Sequence, residues 1–192
     1  MQRWILASQS PRRRELLSRL VADFEVIADD SEEILIPEEE PSVAVQRLAQ
    51  EKAKNVSNKI KYNAIILAAD TVVVLDGKIL GKPKDKEDAF RMLTDLSGNT
   101  HQVFTGVAVL ETASGRCETV AEMTKVRFRQ LSEAEIQRYI ASGEPMDKAG
   151  AYGIQQRGAL LVEGIEGDYF NVVGLPLCRL GKLLREMFQI EW

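Results

Sequence analysis

The sequence predicts a mixed α/β fold: a twisted sheet flanked by helices. Runs of β-branched and apolar residues alternate with amphipathic helical windows, which disfavours all-α and all-β architectures. The Val-, Thr- and Gly-rich hairpin strands are too long for simple parallel crossovers, so the sheet is expected to be mixed and strongly twisted rather than doubly wound. A length of 192 residues allows one large or two small domains and a sizeable core without disulfide or metal staples.

The elements follow in order. A strand over 4–8 runs through the turn Ser8-Gln9-Ser10-Pro11 into a helix over 11–20. Ser10 suits the N-cap and Pro11 the first helical position. Arg12, Arg13 and Arg14 then fill the first turn. Cations there oppose the macrodipole by about 0.3–1 kcal/mol each, so the cluster is best explained by an anion held between the arginines and the unpaired helix amides; a solvated basic turn is the simpler account. A strand over 24–28, an acidic loop from Asp29 to Pro41 and a helix over 42–58 come next. A strand pair over 64–80 turns at Asp76-Gly77. Helix 85–96 carries Ala89, Met92, Leu93 and Leu96 on one face. Strand 101–112, a turn at Ser114-Gly115 and strand 117–130 lead to helix 132–142, where Ser132 and Glu135 have capping-box spacing and Ile136, Tyr139 and Ile140 share an apolar face. A glycine-rich segment over 143–158, a strand over 159–165 and a helix over 175–188 complete the chain.

Composition excludes several classes. With 25 Lys and Arg against 29 Asp and Glu there is no global field to attract a nucleic-acid polymer. Cys117 and Cys178 lack zinc-type spacing and fit a reducing compartment. His101 is the single histidine, so any metal here is expected to be a hard ion held by carboxylates and phosphate oxygens. No segment approaches the roughly 20 apolar residues of a membrane span, and no secretory leader pattern is seen, so a cytoplasmic protein is expected.

Polar residues interrupt the core pattern at a few places. Asp70 sits within Ala64-Ile65-Ile66-Leu67-Ala68-Ala69-Asp70-Thr71-Val72-Val73-Val74. An unpaired buried charge is costly, so Asp70 is paired, metal-bound or exposed in a cleft. It either caps a turn or answers a buried arginine, or it is a magnesium ligand or general base facing the arginine turn. Lys82 lies between Gly81 and Pro83, extended and able to reach a phosphate as a point charge, although lysines in such loops are commonly solvated. Gln155 ends a glycine-dense run and offers donor and acceptor on one amide, as a base edge requires. The acidic loop Asp29-Asp30-Ser31-Glu32-Glu33 is either solvated or lends a carboxylate to a magnesium site.

Together Leu6-Ala7-Ser8, Ser10-Pro11-Arg12-Arg13, Glu32-Glu33, Glu51-Lys52-Ala53, Ala69-Asp70-Thr71, Gly81-Lys82-Pro83, Leu96-Ser97-Gly98, Asp147-Lys148-Ala149-Gly150-Ala151-Tyr152-Gly153-Ile154-Gln155 and Val173-Gly174-Leu175-Pro176 closely resemble the Maf family of nucleoside triphosphate pyrophosphatases. The resemblance implies one domain over 1–192, an inosine-triphosphatase type of fold with two lobes around a cleft, and often a homodimer. It implies hydrolysis between the α and β phosphates with a divalent ion, usually magnesium, with manganese or cobalt as alternatives, and a link to septum formation. Ser8, Arg13, Glu33, Lys52, Asp70 and Lys82 become the catalytic and phosphate-binding set, with Asp70 the family's proposed proton acceptor and Asp70 and Glu33 the metal ligands. Arg12, Thr71 and Gln155 match the branch that prefers dTTP and UTP, and activity on modified nucleotides is a further expectation. Gln156 departs from the glycine common at its position, which bears on pocket width. The rival readings are a non-catalytic nucleotide-sensing regulator of cell division and a nucleic-acid module built on the arginine turn.

Overall fold

Alternating apolar strands and one-faced helices assemble as β1 (Trp4–Leu6), α1 (Pro11–Leu17), β2 (Glu25–Val26), α2 (Pro41–Lys59), β3 (Ile65–Leu75), β4 (Lys78–Leu80), α3 (Lys86–Leu96), β5 (Thr100–Glu111), β6 (Arg116–Phe128), α4 (Glu133–Ala141), β7 (Val162–Glu166), α5 (Tyr169–Val173) and α6 (Leu177–Phe188). The structure is a computed structural model describing residues 2–31 and 33–191. The sheet runs β2-β1-β3-β5-β6-β7, with β4 on β3. β1 pairs in parallel with β2 and β3, whereas β3–β4 and β6–β7 are antiparallel, so the sheet is mixed as expected.

The chain forms two compact units. The first comprises Met1–Asp70, Thr105–Glu122 and Gly174–Trp192; the second, Thr71–Phe104 and Met123–Val173. In the first, Ile5, Ala7, Ile66, Ala68 and Ala108 pack with Ala49, Ala53 and Val56 of α2. The approach is close enough that a Cβ on Gly106 of β5 would lie 2.2 Å from the Val45 carbonyl oxygen, so only glycine fits there. In the second, Leu93 and Leu96 of α3, Ile136 and Tyr139 of α4, and Phe128 and Tyr152 form the core.

Local chemistry fixes many boundaries. Asp76 and Gly77 both have positive φ, at 49° and 76°, and Leu75 faces Lys78 across the turn, a two-residue type I′ hairpin. Asp85 Oδ1 caps α3 by accepting from the Asp88 N–H at 2.7 Å, and the Glu135 carboxylate accepts from the Ser132 N–H at 2.9 Å at the start of α4.

Elsewhere the structure corrects the expected elements. The helix expected over 11–20 ends at Leu17 because the chain tightens into i→i−3 bonds, Arg19 N–H to Leu16 O and Leu20 N–H to Leu17 O. The strand expected over 24–28 pairs only at Glu25 and Val26, since its one neighbour, β1, is three residues long. Pro41 belongs to α2 rather than the loop, with the Glu40 carboxylate accepting from the Ser42 N–H. The glycine-rich segment contains short 3-10 turns at Glu144–Asp147 and Ala149–Ala151, and a third at Gln156–Leu160 displaces the start of the expected strand 159–165 to Val162. α5 was not anticipated, its five residues being too few to display a period. The helix expected from 175 begins at Leu177, beyond Pro176.

Candidate active site

The first unit gathers a charged cluster from the end of β1, the first turn of α1, the acidic loop, the middle of α2 and β3. Where β1 ends, Ser8 Oγ accepts from the Ser10 N–H at 3.2 Å and from Arg13 Nη1 at 3.4 Å. Ser10 is the N-cap of α1 and Pro11 opens it, as the sequence implied; Ser10 Oγ accepts from the Arg13 N–H at 3.4 Å. Arg13 Nε donates to the Gly174 carbonyl at 2.9 Å. The guanidinium's pKa lies below its usual value chiefly because of burial, while the Asp70 and Glu33 carboxylates pull it up and Arg12 adds to the lowering. Arg13 is therefore a half-buried cation, held in place in the field of two carboxylates.

Those carboxylates meet on one ammonium. Lys52 Nζ, projected from α2, donates to Asp70 Oδ1 at 2.5 Å and to Glu33 Oε1 at 2.7 Å. Asp70 is 4% exposed, so of the alternatives open for a carboxylate inside an apolar strand, the structure shows it paired. Its partner is a lysine, whereas the expected structural partner was an arginine or a turn. Strand alternation then turns Thr71, half-buried, to the opposite side of β3.

Among the described residues of the acidic loop, Glu33 is the one that reaches Lys52. Asp29 accepts from Ser31 Oγ at 2.6 Å and from Asn55 Nδ2 at 3.1 Å, bonds that hold its carboxyl below the usual range against the opposing effect of burial. Asp30 accepts from Gln9 Nε2 at 2.7 Å. Glu32 lies outside the described residues. Among the described residues no group of three or more His, Cys, Asp or Glu side chains is gathered for a metal. A two-carboxylate set such as Asp70 and Glu33 nevertheless fits magnesium, which binds through one or two carboxylates while retaining waters and substrate phosphates.

The structure thus brings Ser8, Arg13, Glu33, Lys52 and Asp70 together. Arg12 is half-buried on α1 in the same unit. Thr71, Lys82 and Gln155 belong to the second unit. Lys82 is exposed, and the preceding Gly81 carbonyl accepts from the Gly150 N–H at 3.0 Å. Gln155 is half-buried and is followed by Gln156 at φ 52°, a left-handed conformation that glycine adopts without strain.

Two residues with a bearing on the second unit, His101 and Tyr139, were not singled out as site candidates from sequence. His101 is 1% exposed, shares a 2.7 Å hydrogen bond with Tyr152 Oη through Nε2, and packs edge-on against Phe128 and Tyr152. Its Nδ1 has no hydrogen-bond partner among the described residues, and burial pushes its pKa down to about 4. Tyr139 follows the apolar period of α4, yet its hydroxyl donates to Glu144 Oε1 at 3.2 Å. A buried tyrosine's need for a hydroxyl partner was the available signal.

The sequence also matches known proteins along its length. The family profile described as Maf-like protein matches residues 3–187. A dTTP/UTP pyrophosphatase of Alkaliphilus metalliredigens (strain QYMF) is 51% identical over 191 residues, covering 100% of this chain and 99% of its own length. The dTTP/UTP pyrophosphatase of Clostridium novyi (strain NT) is 50% identical, covering 95% and 96%. Among solved structures, the Staphylococcus aureus Ham1 protein overlaps 66% of this chain and 72% of its own with a TM-score of 0.45 at 14% identity, and adds nothing to the assignment. A profile match running almost end to end, with relatives identical at about half of all positions, is enough to place the molecule: the chain belongs to the Maf-like protein family.

Proposed function

We propose that the protein is a nucleoside triphosphate pyrophosphatase that hydrolyses dTTP and UTP between the α and β phosphates, giving the monophosphate and pyrophosphate. The reading is carried by the Asp70–Lys52–Glu33 cluster beside Arg13, in a chain about half identical over its whole length to proteins named dTTP/UTP pyrophosphatase.

Hydrolysis of a phosphoanhydride asks for alignment and charge neutralisation more than for an intrinsic nucleophile. Arg13, immobilised by Gly174 and Ser8, offers a preorganised cation to phosphate oxygens. Lys52 fixes the Asp70 carboxylate, which accepts the proton of the attacking water. As the water oxygen bonds to phosphorus, the bond to the bridging oxygen breaks and pyrophosphate departs. Asp70 and Glu33 would hold magnesium, which when bound neutralises charge on the leaving pyrophosphate. Lys82 is assigned to phosphate contact, and Arg12, Thr71 and Gln155 to substrate selection.

The test is pyrophosphate release from dTTP, UTP, CTP, GTP and 7-methylguanosine triphosphate with and without magnesium, with products resolved by chromatography. Turnover of dTTP and UTP to monophosphates is expected; orthophosphate with a diphosphate product would refute the cleavage site. In Asp70→Asn, activity is expected to fall on the order of 10²-fold or more with an unchanged circular dichroism spectrum.

A further inference from the structure

The residues from Gly153 to Gly158 form a small loop whose ends are drawn together in the second unit. A Cβ on Gly158 would lie 1.8 Å from the Gly153 carbonyl oxygen and 2.9 Å from Tyr139 Oη, so the ends touch backbone to backbone. Between them the chain is extended at Gln155, with φ −85° and ψ 171°, and reverses at Gln156 with φ 52°.

Two side chains tie both ends to α4 and the turn that follows it. The Gly153 N–H donates to Tyr139 Oη at 3.2 Å, and the Gly158 N–H donates to Glu144 Oε1 at 3.2 Å. The Tyr139 hydroxyl donates to the same Glu144 oxygen at 3.2 Å and closes the circuit. Beneath the loop runs the Lys148 side chain, close enough that a Cβ on Gly153 would meet its Cδ at 2.8 Å. Lys148 Nζ donates to the Asp147 carboxylate at 2.6 Å and also to the Glu144 carbonyl. The hydroxyl of Tyr139 is thus held in a buried environment that raises its pKa mainly by desolvation, so it remains a neutral group that can donate and accept at once.

We propose that Tyr139 and Glu144 are positioning residues for base selection, pinning the two ends of the 153–158 loop so that the Gln155 amide is presented in one orientation. The proposal rests on the reading of Gln155 as a selector of the base. A side-chain amide that discriminates hydrogen-bonding edges must be held by its surroundings, because a mobile amide satisfies several bases equally. The circuit holds the backbone on either side of Gln155 by two N–H bonds, one to a side chain of α4 and one to a side chain of the turn that follows it.

The test uses the full-length protein and compares kcat/KM for dTTP, UTP, CTP and GTP in Tyr139→Phe, Glu144→Ala, Glu144→Gln, Gln155→Ala and the Tyr139→Phe/Gln155→Ala pair. Tyr139→Phe and Glu144→Ala are each expected to reduce the preference for dTTP over CTP about tenfold, through KM, with kcat for dTTP within about twofold. Glu144→Gln keeps an acceptor oxygen for the Gly158 N–H and is expected to retain the preference. The paired variant is expected to lose no more preference than Gln155→Ala alone, which a purely structural role would not produce. Altered preference in Gln155→Ala with none in Tyr139→Phe, or equal losses for all four substrates, would overturn the proposal while leaving the Gln155 reading intact. Unaltered preference in Gln155→Ala would overturn that reading and the proposal with it. Should Tyr139→Phe fail to fold, Glu144→Ala against Glu144→Gln decides the same question, and equal behaviour of those two would overturn the proposal.

Discussion

Acidification provides a sharp test of the second core, because a single imidazole is buried there. His101 is 1% exposed and its pKa is pushed from 6.5 to about 4 by burial. Between those values the unfolded chain binds the proton and the folded chain does not, so stability falls as pH decreases; it is fully present above the unfolded value, and the loss levels off below the folded one. Integrating from about pH 7.5 to about pH 5 gives a loss of about 2 kcal/mol, equivalent to a fall in Tm of about 4–8 °C for a chain of this length. Carboxylates held low by their partners, such as Glu135 at about 2, lose their contribution only at lower pH, leaving this window to the histidine. Urea unfolding across the range, paired with an NMR titration of the sole imidazole, measures the effect. In His101→Gln the pH dependence over the same window is expected to flatten, whatever its absolute stability. An imidazole that titrates near its ordinary value in the folded protein, or a histidine variant with an undiminished slope, would refute the reasoning.

Removing the shared ammonium in Lys52→Met is expected to destabilise the fold by about 3 kcal/mol at neutral pH, since Asp70 is left buried without its partner, and Lys52→Met/Asp70→Asn to recover part of that loss in urea unfolding. Gly106→Ala drives a Cβ against the Val45 backbone and is expected to cost about 3 kcal/mol, read as a lower Tm or as loss of soluble protein. Gln156→Gly relieves a left-handed residue and is expected to raise stability by about 0.5–1 kcal/mol in the same assay.

Local chemistry was the most readable layer of the sequence. Asp76-Gly77, the Ser10-Pro11 cap and the Ser132–Glu135 pairing depend on residues next to one another, and each is found as expected. Asp70 stood out because a carboxylate in an apolar strand demands an explanation, whereas Lys52 entered through the family resemblance alone and not as its partner. Lys52 lies on a helix 18 positions away, and only packing of α2 on the sheet chooses it over other lysines. Tyr139 was hidden for a related reason: its ring obeys the apolar period of α4, so the pattern that correctly placed it in the core carried no information about the hydroxyl. β2 and the 3-10 turns were misjudged because a short partner strand and tight i→i−3 bonding leave no periodic trace.

The anchor on Arg13 has a consequence for how the protein is made. Its Nε bonds a carbonyl 161 positions further along the chain, and the first unit is assembled from three separate stretches of sequence. On the ribosome, the arginine turn therefore emerges long before Gly174 exists to receive it. The second unit's long stretches can begin to pack meanwhile, while the guanidinium has only its local Ser8 partner of these two and Nε waits for the Gly174 carbonyl. Closing so distant a contact is slow compared with forming local turns. Arg13 is accordingly expected to be among the last of the site residues to settle.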